Sequence, residues 1–85
     1  MMNPTPIQIG ELIKTTRNES GLTQKDLALT SGTGLRFIIE LERGKPTCQL
    51  GKVLTVLHTL GIVVQVTGYG ELQPTNQEGS EWNEP

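Results

Sequence analysis

The stretch TQKDLALTSGTGLRFIIELERGK, residues 23–45, decides the fold expected of this chain. It holds two short segments whose apolar residues recur at helical spacing, separated by the small residues SGTG at 31–34. The first segment directs Leu27 and Ala28 to one side, and the second directs Ile38 to the side facing them. The pattern therefore predicts two short helices that pack together across a tight turn.

Small residues stand where such a turn requires them. Ala28 lets the second helix approach the first closely, and Gly32 can adopt the positive φ that the turn needs. Two helices joined in this way form a helix-turn-helix, whose second helix enters the DNA major groove while the first lies across the backbone. Residues 23–45 thus predict a DNA-binding motif.

Length and composition limit what surrounds this motif. The chain of 85 residues makes one small domain, and only 34% of its residues are apolar. Cys48 is the only cysteine and no Cys/His cluster has metal-ligand spacing, so we expect no intrachain disulfide, no metal and no cofactor. Domains with so thin a core often gain stability from a second subunit, and we expect an oligomer here.

The sequence favours neither an enzyme nor a membrane protein. It has no Ser/His/Asp, Cys/His or paired-carboxylate cluster and no phosphate-loop spacing, so no catalytic residue is assigned. The N-terminus lacks a basic-then-apolar signal pattern, and no apolar run reaches membrane-spanning length. The expectation is a cytoplasmic protein without a membrane partner.

Charge is divided unevenly along the chain. Residues 1–68 contain all seven Lys and Arg residues against five acids, whereas residues 69–85 contain four Glu residues and no base. We therefore predict a mildly basic helix-turn-helix domain over 1–68 and an acidic, flexible tail over 69–85. DNA affinity should then come from a dimer more than from raw charge.

Helix-start patterns flank the motif. Thr5 can cap a first helix with Pro6 at its first position, and Gly21 is a natural end to it. Thr23 and Asp26 have capping-box spacing at the start of the next helix. A fourth helix is expected to be capped by Thr47 and to close the core over the first helix with Leu50, Val53, Leu54, Leu57 and Leu60.

These motifs carry a resemblance to a known family. The run GLTQKDLA at 21–28, followed by Gly32 and by Ile38-x-x-Leu41-Glu42-x-Gly44-Lys45, resembles the Xre/Cro family of helix-turn-helix regulators. The match runs from about Ile9 to Gly61. It implies a mainly α, four-helix, lambda-repressor-like domain.

Two further features resemble HipB-type antitoxins: the GKPT step at 44–47, and a strand in place of a fifth helix after residue 61. Proteins of that type repress their own operon and bind a HipA-like serine/threonine kinase toxin. The sequence departs from the family pattern at Ser31 and Thr33, which are usually apolar, and at Leu35, which is often polar or basic.

The resemblance places the base-contacting surface on the second helix of the motif, at Gly34, Leu35, Arg36, Ile39 and Glu40. The Arg36 fork can bind guanine O6 and N7 together, although a phosphate or solvent contact is the alternative. Leu35 and Ile39 could contact thymine methyl groups, or be buried against the first helix or a protein partner. Glu40 either orients Arg36 or accepts a hydrogen bond from cytosine.

Other polar residues are expected to hold the framework or the phosphate backbone. The resemblance implies an ion pair between Glu42 and Arg17, which makes Arg17 a structural residue. The expected phosphate contacts are Thr23, Gln24, Lys25, Arg43 and Lys45. A solvated loop is the alternative for Arg43.

The segment 62–67 changes the periodicity. It is β-branched and bounded by Gly61 and Gly68, and it predicts a strand in a chain that offers no second one. A lone strand leaves its backbone groups unpaired, so we expect it to pair antiparallel with a second copy across a two-fold axis. The residues assigned to this dimerisation are Ile62, Val63, Val64, Gln65 and Val66. Pairing with residues 1–8 is the alternative.

The tail contains one large aromatic residue, Trp82, among acidic and polar residues. A lone tryptophan there suits an anchor for a protein partner, since tryptophan is enriched at binding hot spots. An exposed residue without a role, or one folded back on its own domain, is the alternative.

The leading hypothesis is a dimeric repressor of palindromic operator DNA that is also a HipB-like antitoxin. The alternatives are a plain Xre-type regulator without a toxin partner, and a protein-binding inhibitor that has lost DNA binding.

Overall fold

The computed structural model describes residues 4–68. Four α-helices follow one another in this part of the chain: α1 (Pro6–Glu19), α2 (Gln24–Ser31), α3 (Leu35–Glu42) and α4 (Leu50–Thr59). The mainly α, four-helix fold expected from the sequence is thereby confirmed.

Two capping boxes fix where α1 and α2 begin. The Thr5 hydroxyl accepts from the Gln8 backbone N–H at 3.1 Å, and the Gln8 side chain accepts from the Thr5 N–H at 3.0 Å. Thr23 and Asp26 repeat this exchange at 3.0 and 2.9 Å. Each box satisfies N–H groups that a helix start leaves without partners, so both starts are specified locally.

The turn between α2 and α3 depends on a glycine. Gly32 ends α2 with φ +73°, a left-handed conformation that side chains with a Cβ rarely adopt. Its N–H donates to the carbonyl groups at the end of α2. The chain then reverses within three residues, so that α3 packs against α2.

The core lies where the four helices meet. Ile13, Leu27, Ile38 and Val56, one from each helix, are fully buried. Helix α3 packs between α1 and α2, and α4 packs mainly against α2. Helix α4 therefore covers the core mainly from the side of α2, with Val56 and Leu57 in the same buried cluster as Ile13 of α1.

The start of α4 also differs from the prediction. Gln49 is the residue that precedes the helix, and it makes no side-chain capping bond. Thr47 belongs to a turn before it. Cys48 packs half-buried against the core, and Gln49 is extended just before the helix begins.

The apolar face of α4 is rotated from the predicted one. Val56, absent from the predicted face, is fully buried, whereas Leu50 is 69% exposed and Leu54 is 44% exposed. Val53, Leu57 and Leu60 do pack toward the core as expected. The leucine spacing alone suggested a different face because both sides of this helix are apolar.

Residues 62–68 follow Gly61 as a segment without helix or strand pairing inside the described chain. Ile62 packs toward the core, while Val63 is 80% exposed and Val66 89% exposed. The alternative pairing fails for the described residues 4–8, because they enter α1. Pairing with a second copy stays a prediction. Between residues 4 and 68 no helix is long and apolar enough to cross a membrane.

Candidate nucleic-acid interface

Helix α1 packs very closely against the C-terminal end of α3. A Cβ built on Gly10 would lie 2.5 Å from the carbonyl oxygen of Leu41 and 2.8 Å from that of Glu42. Such distances are too short for any side chain, so the absence of one at Gly10 is what lets α1 reach the end of α3. The buried side of α3 is fixed, and its opposite side faces outward.

A buried ion pair ties the motif together. Arg17 of α1 donates from Nε to Glu42 Oε2 at 2.6 Å and from a terminal nitrogen to Glu42 Oε1 at 3.0 Å. Its other terminal nitrogen donates to the Leu22 carbonyl at 2.8 Å, and the Gln24 amide donates to Glu42 at 3.0 Å. The group Arg17, Leu22, Gln24 and Glu42, called the Arg17 node below, therefore joins α1, the entry to α2 and the end of α3.

The ion pair within the Arg17 node is buried. The side chains of Arg17 and Glu42 are 9% and 3% exposed. Hydrogen bonding to Glu42 raises the pKa of the Arg17 guanidinium, which favours its charged form. The ion pair that the family resemblance implied is present, and it fixes the orientation of α3.

The residues expected to contact bases do lie together on the outer face of α3. Leu35 is 45% exposed and the Arg36 side chain is 86% exposed. These two residues line one shallow surface groove with Ile39, Glu40 and Arg43. Gly34 precedes the helix and is exposed at its start. We call this surface, residues 34–36, 39 and 40, the α3 outer face.

Glu40 carries the negative charge of that face. Its carboxylate accepts from Lys45 Nζ at 3.1 Å and from Arg36 Nε at 3.4 Å. The hydrogen bond from Lys45 is the main reason that the pKa of Glu40 is lowered, and Arg36 adds to it. The contact uses only Nε of Arg36, so the two terminal nitrogens of this exposed side chain remain able to bind another group.

The residues expected to contact phosphate divide into two groups. Lys25, Arg43 and Lys45 are exposed and retain charged ends at the surface. Thr23 uses its hydroxyl in the capping box, and Gln24 uses its amide in the Arg17 node. The second group is thus placed near the start of α2 by contacts inside the protein.

Comparison with known proteins identifies the family. No family model matches the chain. The chain is 52% identical over 67 residues to the uncharacterized HTH-type transcriptional regulator y4mF of Sinorhizobium fredii, which covers 79% of this chain and 88% of that protein. The chain belongs to the HTH-type transcriptional regulators.

Solved structures share the regulator's fold. A HipB–O4 20mer complex and a HipA–HipB–O2–O3 complex each match with a TM-score of 0.70 and 22% identity, over 81% of this chain and 97% of theirs. The clp gene regulator ClgR from C. glutamicum matches with a TM-score of 0.62 and 26% identity, over 73% of this chain and 80% of its own. The Xre-like, HipB-type fold inferred from sequence motifs is confirmed.

One basic residue near α3 in the regulator was missed by sequence reasoning. Lys52 of α4 places its Nζ 5.6 Å from the centre of the Phe37 ring, a cation–π contact between α4 and α3. Fifteen residues separate the two, and no local pattern connects them. Among the described residues no group of three or more His, Cys, Asp or Glu residues could hold a metal ion. Trp82 lies outside the described residues.

Proposed function

We propose that this regulator is a sequence-specific repressor that binds palindromic double-stranded operator DNA as a homodimer, and that it is the HipB-like antitoxin of a HipA-like serine/threonine kinase toxin. The observation that carries the DNA-binding part is the α3 outer face. Gly34, Leu35 and Arg36 of this face are exposed and its other two residues are half-buried, and the Arg17 node holds the end of the helix that carries them. A helix presented in this way fits the major groove.

Within that proposal, each part of the surface has a role. Arg36 binds guanine through its two terminal nitrogens, and Leu35 and Ile39 contact thymine methyl groups. Gly34 permits close approach of the start of α3 to the DNA, and Glu40 either orients Arg36 or accepts a hydrogen bond from cytosine. Phosphates are bound by Thr23, Gln24, Lys25, Arg43 and Lys45 from either side of α3.

The dimer is supported by the apolar surface that α4 and residues 62–66 leave uncovered. An open groove of about 450 Å³ is lined by Leu54, Leu57, His58, Gly61, Ile62, Val63 and Val64. It adjoins the segment that we assign to dimerisation, residues 62–66, in which Val63, Val64 and Val66 are exposed and the described chain offers no backbone pairing. Antiparallel pairing there would cover both the backbone and the groove, and would set two α3 helices about 34 Å apart, one turn of DNA.

The antitoxin part rests on resemblance. The shared fold extends over 97% of the HipB chain in its complex with HipA. The GKPT step at 44–47 supports the same type. In this proposal residues 1–68 form the DNA-binding and dimerisation domain, and the acidic tail 69–85, with Trp82, contacts the toxin.

A binding assay on two DNAs tests the DNA-binding part. Fluorescence anisotropy with the duplex upstream of the protein's own gene and with a random duplex should show preference for the former. Arg36→Ala should lose about 1–3 kcal/mol on the upstream duplex and less on the random one. Lys14→Ala, which removes an exposed charge from α1, serves as the control. Equal losses on both duplexes for Arg36→Ala would mean that Arg36 contacts only phosphate.

Co-purification tests the antitoxin part. A tagged regulator should recover a HipA-like kinase from its native host and suppress the kinase's phosphorylation of substrate. Selective DNA binding without any kinase would support a plain Xre-type regulator. Kinase binding with no sequence-dependent DNA binding would support a protein-binding inhibitor.

A further inference from the structure

Glu40 occupies an unusual position for an acid on a surface proposed to face DNA. One carboxylate oxygen accepts from Arg36, one turn earlier in α3, and the other accepts from Lys45 in the following loop. Both oxygens therefore accept from cationic side chains at the surface. Arg36 of the α3 outer face and Lys45 beside it are thus both paired with one acid.

The stability of α3 does not explain this acid. Glu40 lies in the last turn of an eight-residue helix, where the negative end of the helix dipole disfavours a carboxylate. Its pairs with Arg36 and Lys45 are exposed to solvent, and exposed ion pairs contribute little to folding. Glu42, in the same turn, differs because it is buried with Arg17.

A carboxylate here changes the electrostatics of DNA approach. Lys45 donates to Glu40, so a phosphate that binds Lys45 is also brought close to that carboxylate, whose negative charge opposes the anionic backbone. Arg36 is affected differently, since the bond to Glu40 uses Nε and leaves both terminal nitrogens for a guanine edge. The effect on Lys45 weakens a phosphate contact, which is available on DNA of any sequence. The effect on Arg36 preserves a base contact, which is available only at a guanine.

We infer that Glu40 is a specificity-determining residue of the DNA-binding surface: it restrains Lys45 from indiscriminate phosphate binding and positions Arg36 for base contact. This inference rests on the proposed function. Glu40 acts through two other side chains, so its effect is on the ratio of specific to non-specific affinity more than on operator affinity itself.

Glu40→Gln tests the inference, because it removes the charge and keeps the shape. Anisotropy titrations between 50 and 300 mM salt should use a random duplex of about 20 base pairs and the duplex upstream of the protein's own gene. On the random duplex we expect Glu40→Gln to bind about threefold to tenfold more tightly, with a salt slope steeper by about one released counterion. The preference for the upstream duplex should fall accordingly.

Two further variants isolate the cause. Glu11→Gln makes the same change of net charge on the exposed surface of α1, and it should leave the preference unchanged. Adding Lys45→Gln to Glu40→Gln should remove most of the gained affinity for the random duplex, because Lys45 is the cation released. Circular dichroism confirms that each variant is folded.

The outcomes separate the inference from the proposed function. If the wild type does not prefer the upstream duplex, both fail. If the wild type prefers it and Glu40→Gln leaves the random-duplex affinity and salt slope unchanged, only the inference fails. A Glu40→Gln variant that loses upstream affinity alone would also overturn it, since Glu40 would then contact a base directly.

Discussion

Replacing Glu42 by alanine should destabilise the regulator more than any other single change of a charged residue in α3. Glu42 accepts three hydrogen bonds, two from Arg17 and one from Gln24. The substitution leaves the Arg17 guanidinium, 9% exposed and charged at every accessible pH, with only the Leu22 carbonyl as a partner. An unpaired buried charge is among the largest single penalties in a folded protein.

The expected loss follows from that burial. Breaking a buried pair by removing one partner costs about 3–5 kcal/mol. A domain of this size is stable by roughly 4–13 kcal/mol in total. Each kcal/mol lowers the melting temperature of a 60–100-residue domain by about 4–8 °C, so the Glu42→Ala midpoint should fall by at least about 12 °C.

Urea unfolding followed by circular dichroism at 222 nm measures this loss. Glu19→Ala, an exposed acid of α1, should stay within about 0.5 kcal/mol of the wild type. The double variant Arg17→Met with Glu42→Leu removes both charges and should recover most of the stability. A loss below about 1 kcal/mol for Glu42→Ala would refute the reasoning, because it would mean that water reaches Arg17 freely.

Three further outcomes are expected. Gly10→Ala should lower the free energy of unfolding by about 1–3 kcal/mol in urea, because its Cβ would lie 2.5 Å from the Leu41 carbonyl oxygen. The control Gly51→Ala in α4, whose Cβ meets nothing within 4 Å, should raise it by about 0.5–1 kcal/mol. Equal effects of the two substitutions would contradict the close approach of α1 to α3. The pKa of Asp26 is lowered by the Thr23 N–H that donates to it, so the carboxylate's contribution is complete above about pH 5 and lost as the pH falls below about 4. The urea midpoint of Asp26→Asn should therefore lie below that of the wild type at pH 7, and the difference should be smaller at pH 3. The same difference at both pH values would contradict a stabilising role for the ionised Asp26 carboxylate. Val64→Pro should remove ladder bonds and give a monomer by sedimentation, and a persistent dimer would show that residues 62–66 do not form the interface.

Local chemistry accounts for what the sequence predicted well. The Thr5 and Thr23 caps, the left-handed Gly32 and the apolar residues of α2 and α3 are specified by neighbours a few positions away. Such interactions leave patterns in the sequence itself. The Arg17–Glu42 pair, 25 residues apart, came from family resemblance, because no spacing rule predicts it.

Helix α4 shows why the rest could not be predicted. Leu50 and Leu54 are as apolar as Val53 and Val56, so periodicity offers two faces and cannot choose between them. The choice is made by packing against α2, which is a tertiary constraint. The α3 outer face was predicted as a set of residues, whereas the double engagement of Glu40 depends on where the loop carries Lys45.

The Arg17 node has a thermodynamic consequence for recognition. The Arg17 guanidinium is hydrogen-bonded both to the entry of α2 and to the end of α3. Helix α3 is therefore ordered before it binds, so binding carries no entropy cost for ordering it. Calorimetry of the complex should then report a heat-capacity change set by the contact area alone, with no contribution from coupled folding of residues 6–59.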